Sequence, residues 1–318
     1  MFVYSIPLRT RFRGITVREG VLLEGPRGWG EFCAFLDYSD AECAPWLACA
    51  VESATAGWPA PVRSRVPVNC TVPVVSPERA HEIVAASGCR TAKVKVADPG
   101  VPLADDLARV EAVRAALGPS GLVRVDANTA WDVDTAVRAI RELDRAAGGL
   151  EYVEQPCPSI EELAAVRRRV DVRIAADESI RRAEDPLRVA VAGAADLAVI
   201  KVAPLGGVRR ALEVAEACGL PCVVSSAVET SVGMAAGLAL AGALPELDFA
   251  CGLGTLSLLA GDVASDSLRP VDGWLPVPAK TPEPDLRDAV AAGPDTARRW
   301  EQRLARVADA AGLSLALG

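Results

Sequence analysis

Apolar, β-branched runs recur along the chain from residue 66 onward, and segments with helical spacing of apolar residues separate them. In 103–117 and 133–143 the apolar positions recur every three or four residues, which predicts amphipathic helices. Strands that alternate with helices form parallel sheets, and eight of them predict closure into a barrel. The candidate strands are Val66–Val75, Thr91–Val96, Gly121–Asn128, Tyr152–Gln155, Val172–Ser179, Leu197–Val202, Pro221–Val228 and Asp248–Gly252.

The two ends of the chain follow a different pattern. Three runs before residue 36 predict an antiparallel meander, and Asp40–Ala56 predicts a helix. After the eighth strand, Gly273–Lys280 predicts a short strand and Thr296–Ala311 a closing helix. The predicted fold class is therefore α/β, a modified TIM barrel with an α+β capping domain formed by both terminal segments. The predicted domains are 1–66 for the N-terminal part of the cap, 67–261 for the barrel and 262–318 for the segment that returns to the cap.

Composition and charge restrict the class of partner. The chain has 318 residues, of which 51% are hydrophobic, and its net charge is −8. An acidic balance disfavours nucleic acid or an anionic membrane, because neutralising phosphates needs a basic face. No apolar run is long enough to span a bilayer, and no apolar leader follows the first residues. These features predict a cytoplasmic protein that acts on a small molecule.

The cysteines and the single histidine exclude several chemistries. Nine scattered cysteines, with no CxxC spacing, predict reduced thiols and no zinc site. His81 follows Ser76 and Pro77, which suit the start of a surface helix. Catalysis through a Ser-His-Asp or Cys-His set is therefore not expected.

Polar residues interrupt the predicted strands at alternate positions. Lys93 and Lys95 alternate with valines that belong against the helices, so both lysines should point into the barrel. The next strand repeats the pattern with Arg124, Asp126 and Asn128. Because barrel enzymes build their sites at the C-terminal ends of the strands, these side chains predict an active site there.

Three consecutive strands each supply one carboxylate at that end. Asp126, Glu154 and Asp177 would repel one another unless a cation neutralised them, and hard oxygen ligands favour Mg²⁺, with Mn²⁺ possible. Lys95 and Lys201 come from opposite walls of the barrel. A metal between two lysines suits removal of a proton beside a carboxylate, with the metal stabilising the enediolate. Lys93 and the metal would lower the pKa of Lys95 enough for it to act as the base.

The chain resembles the enolase superfamily, in particular its muconate-lactonising subgroup. The motifs that carry this resemblance are Lys93-Val94-Lys95, Asp126-Ala127-Asn128, Glu154-Gln155-Pro156, Asp177-Glu178-Ser179, Lys201, Gly28-Trp29-Gly30-Glu31, Ser225-Ser226-Ala227-Val228-Glu229-Thr230-Ser231 and Gly252-Leu253-Gly254-Thr255. The resemblance implies a (β/α)7β barrel, Asp126, Glu154 and Asp177 as Mg²⁺ ligands, and Lys95 and Lys201 as an acid/base pair.

Within the subgroup, the chain resembles the o-succinylbenzoate synthases of menaquinone biosynthesis. It is short for the subgroup, and Arg124 stands two residues before the first metal aspartate, where these synthases use an arginine for a substrate carboxylate. The resemblance implies dehydration of 2-succinyl-6-hydroxy-2,4-cyclohexadiene-1-carboxylate, with Lys95 as the base, Lys201 as a cation across the ring and Lys93 orienting Lys95. The residues predicted to bind the substrate are Arg124, Asn128, Ser225, Ser226, Gly252 and Gly254.

Three other functions stay open at this point. An N-acylamino acid racemase or dipeptide epimerase of the same superfamily would use the same two lysines. A metal-dependent aldolase or a phosphate-handling barrel would place phosphate near Gly252-Leu253-Gly254-Thr255, where barrels often bind it. A barrel that only binds a ligand would not need the catalytic set, all of which is present.

Overall fold

The computed structural model describes residues 1–181 and 187–313. The chain begins with an antiparallel sheet of β1 (Phe2–Phe12), β2 (Ile15–Gly25) and β3 (Gly28–Phe32). A two-residue turn joins the first two strands, and its residues Arg13 and Gly14 have φ of 48° and 78°. Positive φ at both turn positions is the geometry that matches the twist of a tight hairpin.

Parallel strands and helices follow, as the alternating pattern predicted. The remaining strands are β4 (Arg65–Pro67), β5 (Cys70–Val72), β6 (Thr91–Lys95), β7 (Leu122–Asp126), β8 (Tyr152–Glu154), β9 (Ile174–Ala176), β10 (Leu197–Ile200), β11 (Cys222–Val224) and β12 (Trp274–Pro276). The helices are α1 (Asp40–Thr55), α2 (Pro77–Ser87), α3 (Leu103–Leu117), α4 (Val133–Ala147), α5 (Ile160–Arg167), α6 (Glu178–Arg181), α7 (Arg188–Val191), α8 (Val202–Leu205), α9 (Val208–Cys218), α10 (Ser231–Ala243) and α11 (Pro294–Ala311).

The barrel consists of seven parallel strands, β5 to β11, in chain order, closed by a very short eighth element. The predicted eighth strand, Asp248–Gly252, forms only two isolated parallel bridges, from Cys251 to Val68 and from Gly252 to Ser225. The predicted first strand is divided between β4, which pairs with β12, and β5. Pro67 at the end of β4 and Pro73 after β5 lack the N–H groups that a continuous ladder would need.

The lower part of the barrel interior is filled by apolar side chains. All but Phe249 of the eighth element belong to the same alternating positions of β8 to β11 as the polar residues at the barrel mouth. This packed layer means that a substrate can enter the barrel only at its mouth. It contains Tyr152, Ala175, Leu197, Val199, Val223 and Phe249.

The C-terminal helix completes the capping domain. Trp300 of α11 packs edge-on against Phe32 of β3, with ring centroids 5.8 Å apart. Arg303 donates hydrogen bonds to the carbonyl oxygens of Ala34, Phe35 and Tyr38. Both ends of the chain thus form the cap, which confirms the predicted fold class; the domain boundaries at residues 66 and 261 stay a prediction.

The structure bears on two features that the sequence did not predict, disulfides and membrane-spanning segments. All nine cysteines lie in the described ranges, and no disulfide joins any two of them there. In residues 1–181 and 187–313, no helix is both long and apolar enough to cross a membrane.

Gly30 lets β3 lie directly on α1. A Cβ at this position would stand 1.9 Å from the carbonyl oxygen of Ala50, a backbone atom that cannot move aside alone. We expect Gly30→Ala to lower the free energy of unfolding by about 3 kcal/mol, as overpacking does in well-packed cores. Gly261→Ala is the matched control, because its Cβ would make only an ordinary contact with Val290, at 3.6 Å. Urea unfolding of both variants measures the difference, and equal midpoints would contradict this account of the packing.

Candidate active site

A cavity lies between the mouth of the barrel and the cap. The barrel supplies Thr71, Lys93, Lys95, Asn128, Lys201, Ser225, Ser226, Ala227, Val228, Gly252 and Thr255 to its lining. The cap supplies Phe12, Arg13, Phe35, Tyr38 and Trp46. The cavity therefore contains all three lysines singled out in the sequence, and the chain has only one other lysine, the exposed Lys280.

Lys93 is held between two of the predicted metal ligands. Its Nζ lies 2.9 and 3.0 Å from the two carboxylate oxygens of Glu154 and 3.1 Å from Oδ2 of Asp126. Burial lowers the pKa of Lys93, but these two carboxylates raise it more, so the net pKa is well above its ordinary value. Lys93 is thus a fixed positive charge and is poorly suited to accept a proton.

Lys95 has a different environment although it is only two residues away. Its Nζ lies 2.5 Å from Oδ2 of Asp126 and 2.6 Å from Oδ1 of Asn128. Burial lowers the pKa of Lys95, Lys93 lowers it further, and the opposing pull of Asp126 does not restore it. A lysine with a lowered pKa beside a cavity has the property that a general base needs.

Lys201 stands at the end of β10, four strand positions from β6, and so faces Lys95 from the other side of the barrel. Its Nζ lies 2.5 Å from Oδ2 of Asp177. Both lysines line the same cavity, which gives a bound molecule one ammonium or amine group on each side.

The three predicted metal ligands end three consecutive strands, β7 to β9, and are buried with 0–1% exposure. Burial raises the pKa of Glu154 to about 7, with Asp126 as the next cause, whereas Lys95 and Lys93 outweigh burial at Asp126 and lower its pKa. Buried carboxylates gathered in this way need positive charge. Their hard oxygens are the donor set that Mg²⁺ prefers, so the residues fit such an ion.

In the structure, the ammonium groups of three lysines neutralise these carboxylates. Within residues 1–181 and 187–313, no three acidic, histidine or cysteine side chains converge closely enough to share a metal ion. Each carboxylate instead contacts an ammonium group, Lys93, Lys95 or Lys201. The ammonium groups thus supply, in this structure, the positive charge that the buried carboxylates need.

The loops after β11 and after the eighth element form one wall of the cavity, which we call the serine wall (Ser225, Ser226, Gly252 and Thr255). Ser226 Oγ lies 3.0 Å from the carbonyl oxygen of Gly252 and 2.7 Å from Oγ1 of Thr255. A Cβ at Gly252 would lie 2.5 Å from Ser225 Oγ, so a larger residue would displace the hydroxyl of Ser225. Gly254, also predicted to bind substrate, is not among the lining residues; a Cβ there would lie 2.6 Å from the carbonyl oxygen of Asn69.

The cap forms an aromatic roof, which the sequence analysis did not find. The rings of Phe35, Tyr38 and Trp46 contact one another at centroid distances of 5.9–6.1 Å. The guanidinium groups of Arg13 and Arg18 lie 4.1 and 4.5 Å from the ring centre of Phe35. The turn residue Arg13 thereby brings positive charge to the cavity.

Two buried charged residues of the cap dock it onto the barrel. Arg18 donates to the carbonyl oxygens of Ala227 and Val228, at 3.1 and 3.0 Å. The carboxylate of Glu31, from the predicted Gly28–Glu31 motif, accepts from the backbone N–H groups of Thr230 and Gly233 at the start of α10. These contacts fix the loop after β11, which carries the two serines of the serine wall.

Arg124 does not lie at the cavity. Its side chain is fully buried in the barrel, where Nε lies 2.6 Å from Oε2 of Glu151 and Nη1 lies 2.7 Å from the carbonyl oxygen of Ala250. Alternation along β7 correctly predicts that Arg124 points inward, but the long side chain extends toward the N-terminal ends of the strands. The structure therefore does not support the predicted contact between Arg124 and a substrate carboxylate.

Two family models match the chain. Residues 3–54 match the enolase N-terminal domain-like family and residues 76–282 the enolase C-terminal domain-like family. Among solved structures, the muconate lactonizing enzyme of Pseudomonas putida has the same fold, with a TM-score of 0.71 at 23% identity over 96% of this chain and 97% of that one. The resemblance to the enolase superfamily is thereby confirmed.

Curated relatives show to which family within the superfamily the chain is similar. The o-succinylbenzoate synthase of Thermobifida fusca is 69% identical over 274 residues, which are 86% of either chain. That of Mycolicibacterium smegmatis is 57% identical over 301 residues, which are 94% of this chain and 92% of the relative. The predicted synthase function and lyase class are confirmed by these relatives. The chain belongs to the o-succinylbenzoate synthase family of the enolase superfamily.

Proposed function

We propose that this protein dehydrates 2-succinyl-6-hydroxy-2,4-cyclohexadiene-1-carboxylate to 2-succinylbenzoate, with Mg²⁺ as its cofactor and Mn²⁺ as a possible substitute. The observation that carries the proposal is the pair Lys95 and Lys201, which line one cavity from opposite sides above three buried carboxylates. Mg²⁺ bound by Asp126, Glu154 and Asp177 would supply positive charge to the substrate carboxylate as the neighbouring carbon loses its proton.

The protein's own residues then account for the proton transfers. Neutral Lys95 takes the proton from the ring carbon that bears the carboxylate. The ammonium group that results gives the proton to the hydroxyl group leaving from the adjacent carbon, so that one water molecule departs and the ring becomes aromatic. Lys93, held by Glu154 and Asp126, orients Lys95, and Lys201 places a positive charge across the ring.

The rest of the cavity suits the remainder of this substrate. The serine wall offers hydroxyl groups to the succinyl tail, while Asn128 holds Lys95 and lies beside the reacting ring. The aromatic roof excludes water from the ring, and Arg13 adds positive charge for an acid that carries two carboxylates.

The site of action and the pathway are part of the same proposal. Nine cysteines with no disulfide among them suit a reducing compartment, which supports a cytoplasmic location. The name shared by the curated relatives supports the step of menaquinone biosynthesis that makes 2-succinylbenzoate.

Product analysis tests the proposal against its alternatives. We expect purified protein with Mg²⁺ to convert the cyclohexadiene acid to a product lighter by one water molecule, identified as 2-succinylbenzoate by NMR. Exchange of the α-proton of N-acylamino acids or dipeptides in heavy water, with no dehydration, would instead indicate a racemase or epimerase. Phosphate competition for the site would favour the phosphate-handling barrel.

Thr71 offers a test of substrate contact that is separate from the chemistry. Its hydroxyl is buried in the cavity lining and has no hydrogen-bond partner among the described residues. We expect Thr71→Val to raise KM about fivefold through loss of one hydrogen bond to the substrate, with little change in kcat. Because the variant removes an unpaired buried hydroxyl, the free protein should melt at the same or a higher temperature. A lower melting temperature with unchanged KM would contradict this role.

A further inference from the structure

We propose that Arg124 is a positioning residue that closes the barrel from inside and thereby holds the serine wall in place for the substrate. The inference deepens the proposed function, because it concerns the wall that faces the substrate's tail. It replaces the direct substrate contact that the sequence predicted for this arginine.

The guanidinium group of Arg124 joins three separate parts of the barrel. Nε donates to Glu151, which precedes β8; Nη1 donates to Oδ1 of Asn69, at 3.1 Å, and to the carbonyl oxygen of Ala250, at 2.7 Å. Its Cζ also lies 4.7 Å from the ring centre of Tyr152. Asn69 precedes β5 and Ala250 precedes the bridge residues, so the side chain spans the interior from β7 to the place where the barrel closes.

At that place no continuous ladder joins the described strands of the barrel. We call it the seam, and it comprises Val68 and Asn69 on one side, Cys251 and Gly252 in the middle, and Val224 to Ser226 on the other. Only isolated bridges and four backbone hydrogen bonds join the middle pair to its neighbours, with lengths of 2.7–3.1 Å. The strands β6 and β7, by contrast, pair over a continuous register of five residues. A contact from the interior to Ala250 therefore adds restraint where only isolated bridges join the strands.

The seam connects Arg124 to the cavity. Gly252 lies two residues beyond Ala250 and accepts hydrogen bonds from the backbone N–H and the hydroxyl group of Ser226. If Ala250 moves, Gly252 moves with it and the serine wall loses its spacing. Arg124 itself is fully buried and does not line the cavity, so it acts on the substrate only through the wall.

Arginine is required at this position because its planar guanidinium group can donate hydrogen bonds to a carboxylate and to a carbonyl oxygen at the same time. Lysine carries a single nitrogen and cannot donate along two divergent directions from a fixed stem. Nη2 of Arg124 has no hydrogen-bond partner among the described residues, so the two other nitrogens carry all of these contacts.

The test uses the full-length protein and four variants: Arg124→Met, Arg124→Lys, Asn69→Ala and, as the matched control, Arg173→Met. Arg173 is exposed, and its Cζ lies 6.0 Å from the ring centre of Phe249. Phe249 belongs to the same interior apolar layer as Tyr152, but Arg173 does not reach the seam. Hydrogen–deuterium exchange is followed by mass spectrometry in peptides that contain Cys251 and Gly252. KM and kcat for the cyclohexadiene acid are measured in parallel. If Arg124→Met does not fold, Arg124→Lys and Asn69→Ala test the same contacts.

We expect both Arg124 variants to exchange the seam amides about tenfold faster than wild type, and to raise KM about tenfold with kcat within about twofold. Asn69→Ala should raise the exchange rate of the seam amides and KM by smaller factors. Arg173→Met should match wild type in both quantities. A raised KM with unchanged seam exchange would overturn the proposal, because Arg124 would then act on the substrate directly. If the Arg124 variants lowered kcat by the same factor as they raised KM, the proposal would be overturned too. The substitution would then act on the chemistry through Asp126, two residues further along β7. If wild type does not dehydrate the acid, the proposed function fails while the exchange data still decide the role of Arg124 at the seam.

Discussion

Replacement of Lys95 by alanine should lower kcat for dehydration by about 10³-fold or more, the range that general base catalysis supplies, with further loss from its return of the proton to the leaving group. Burial holds the pKa of Lys95 below its ordinary value, and its Nζ lies at the cavity between Asp126 and Asn128. Arginine at this position keeps the charge but cannot lose its proton, so Lys95→Arg should be equally inactive. Steady-state kinetics of both variants measure the effect.

Lys280→Ala is the matched control, since it removes the one lysine outside the cavity and should leave kcat unchanged. Circular dichroism and melting curves establish that the Lys95 variants are folded. Substantial activity in folded Lys95→Ala would mean that another group is the base, and the roles assigned to both lysines would be wrong.

Removal of the metal should abolish the dehydration to a similar extent. We expect treatment with EDTA to lower the rate by about 10³-fold, because the charge on the substrate carboxylate then lacks several kcal/mol of stabilisation. Added Mg²⁺ should restore it. The ion should also raise the melting temperature of wild type, since a ligand that binds only the folded state stabilises it.

Asp177→Asn should remove both effects of the ion, the restored activity and the rise in melting temperature. Asp177 is fully buried, and the amide that replaces its carboxylate would remove one negative charge from the proposed metal site. The exposed Asp105→Asn on α3 is the control and should behave as wild type. An Asp177→Asn protein that still gains stability from Mg²⁺ would show that the ion binds elsewhere.

The order of strands and the polar residues that gather at the barrel mouth could be predicted from the sequence for a physical reason. Side chains of a barrel strand alternate between the interior and the helices, so a polar residue between valines, such as Lys93 or Lys95, has one possible direction. Carboxylates at the ends of adjacent parallel strands also lie at the same end of the barrel. A further signal was available in composition: the chain has four lysines among 34 basic residues, and three of them line the cavity.

The roof of the site and the role of Arg124 could not be predicted in this way. Phe35, Tyr38 and Trp46 reach the cavity only because the cap docks through Arg18 and Glu31, which contact residues about 200 positions away in the chain. Alternation fixes whether a side chain points into the barrel, but not whether a long one extends toward the mouth or the base. The length of the eighth strand was likewise overestimated, because its apolar pattern reports burial and not pairing.

The most direct test of the account follows the absorbance of the cyclohexadiene acid in parallel samples of wild type, wild type with EDTA, and Lys95→Ala. The account predicts rapid loss of the diene absorbance in the first sample alone, with 2-succinylbenzoate as the product and recovery of the second sample on addition of Mg²⁺. Unchanged absorbance with folded, Mg²⁺-loaded wild type, or equal rates in wild type and Lys95→Ala, would contradict it.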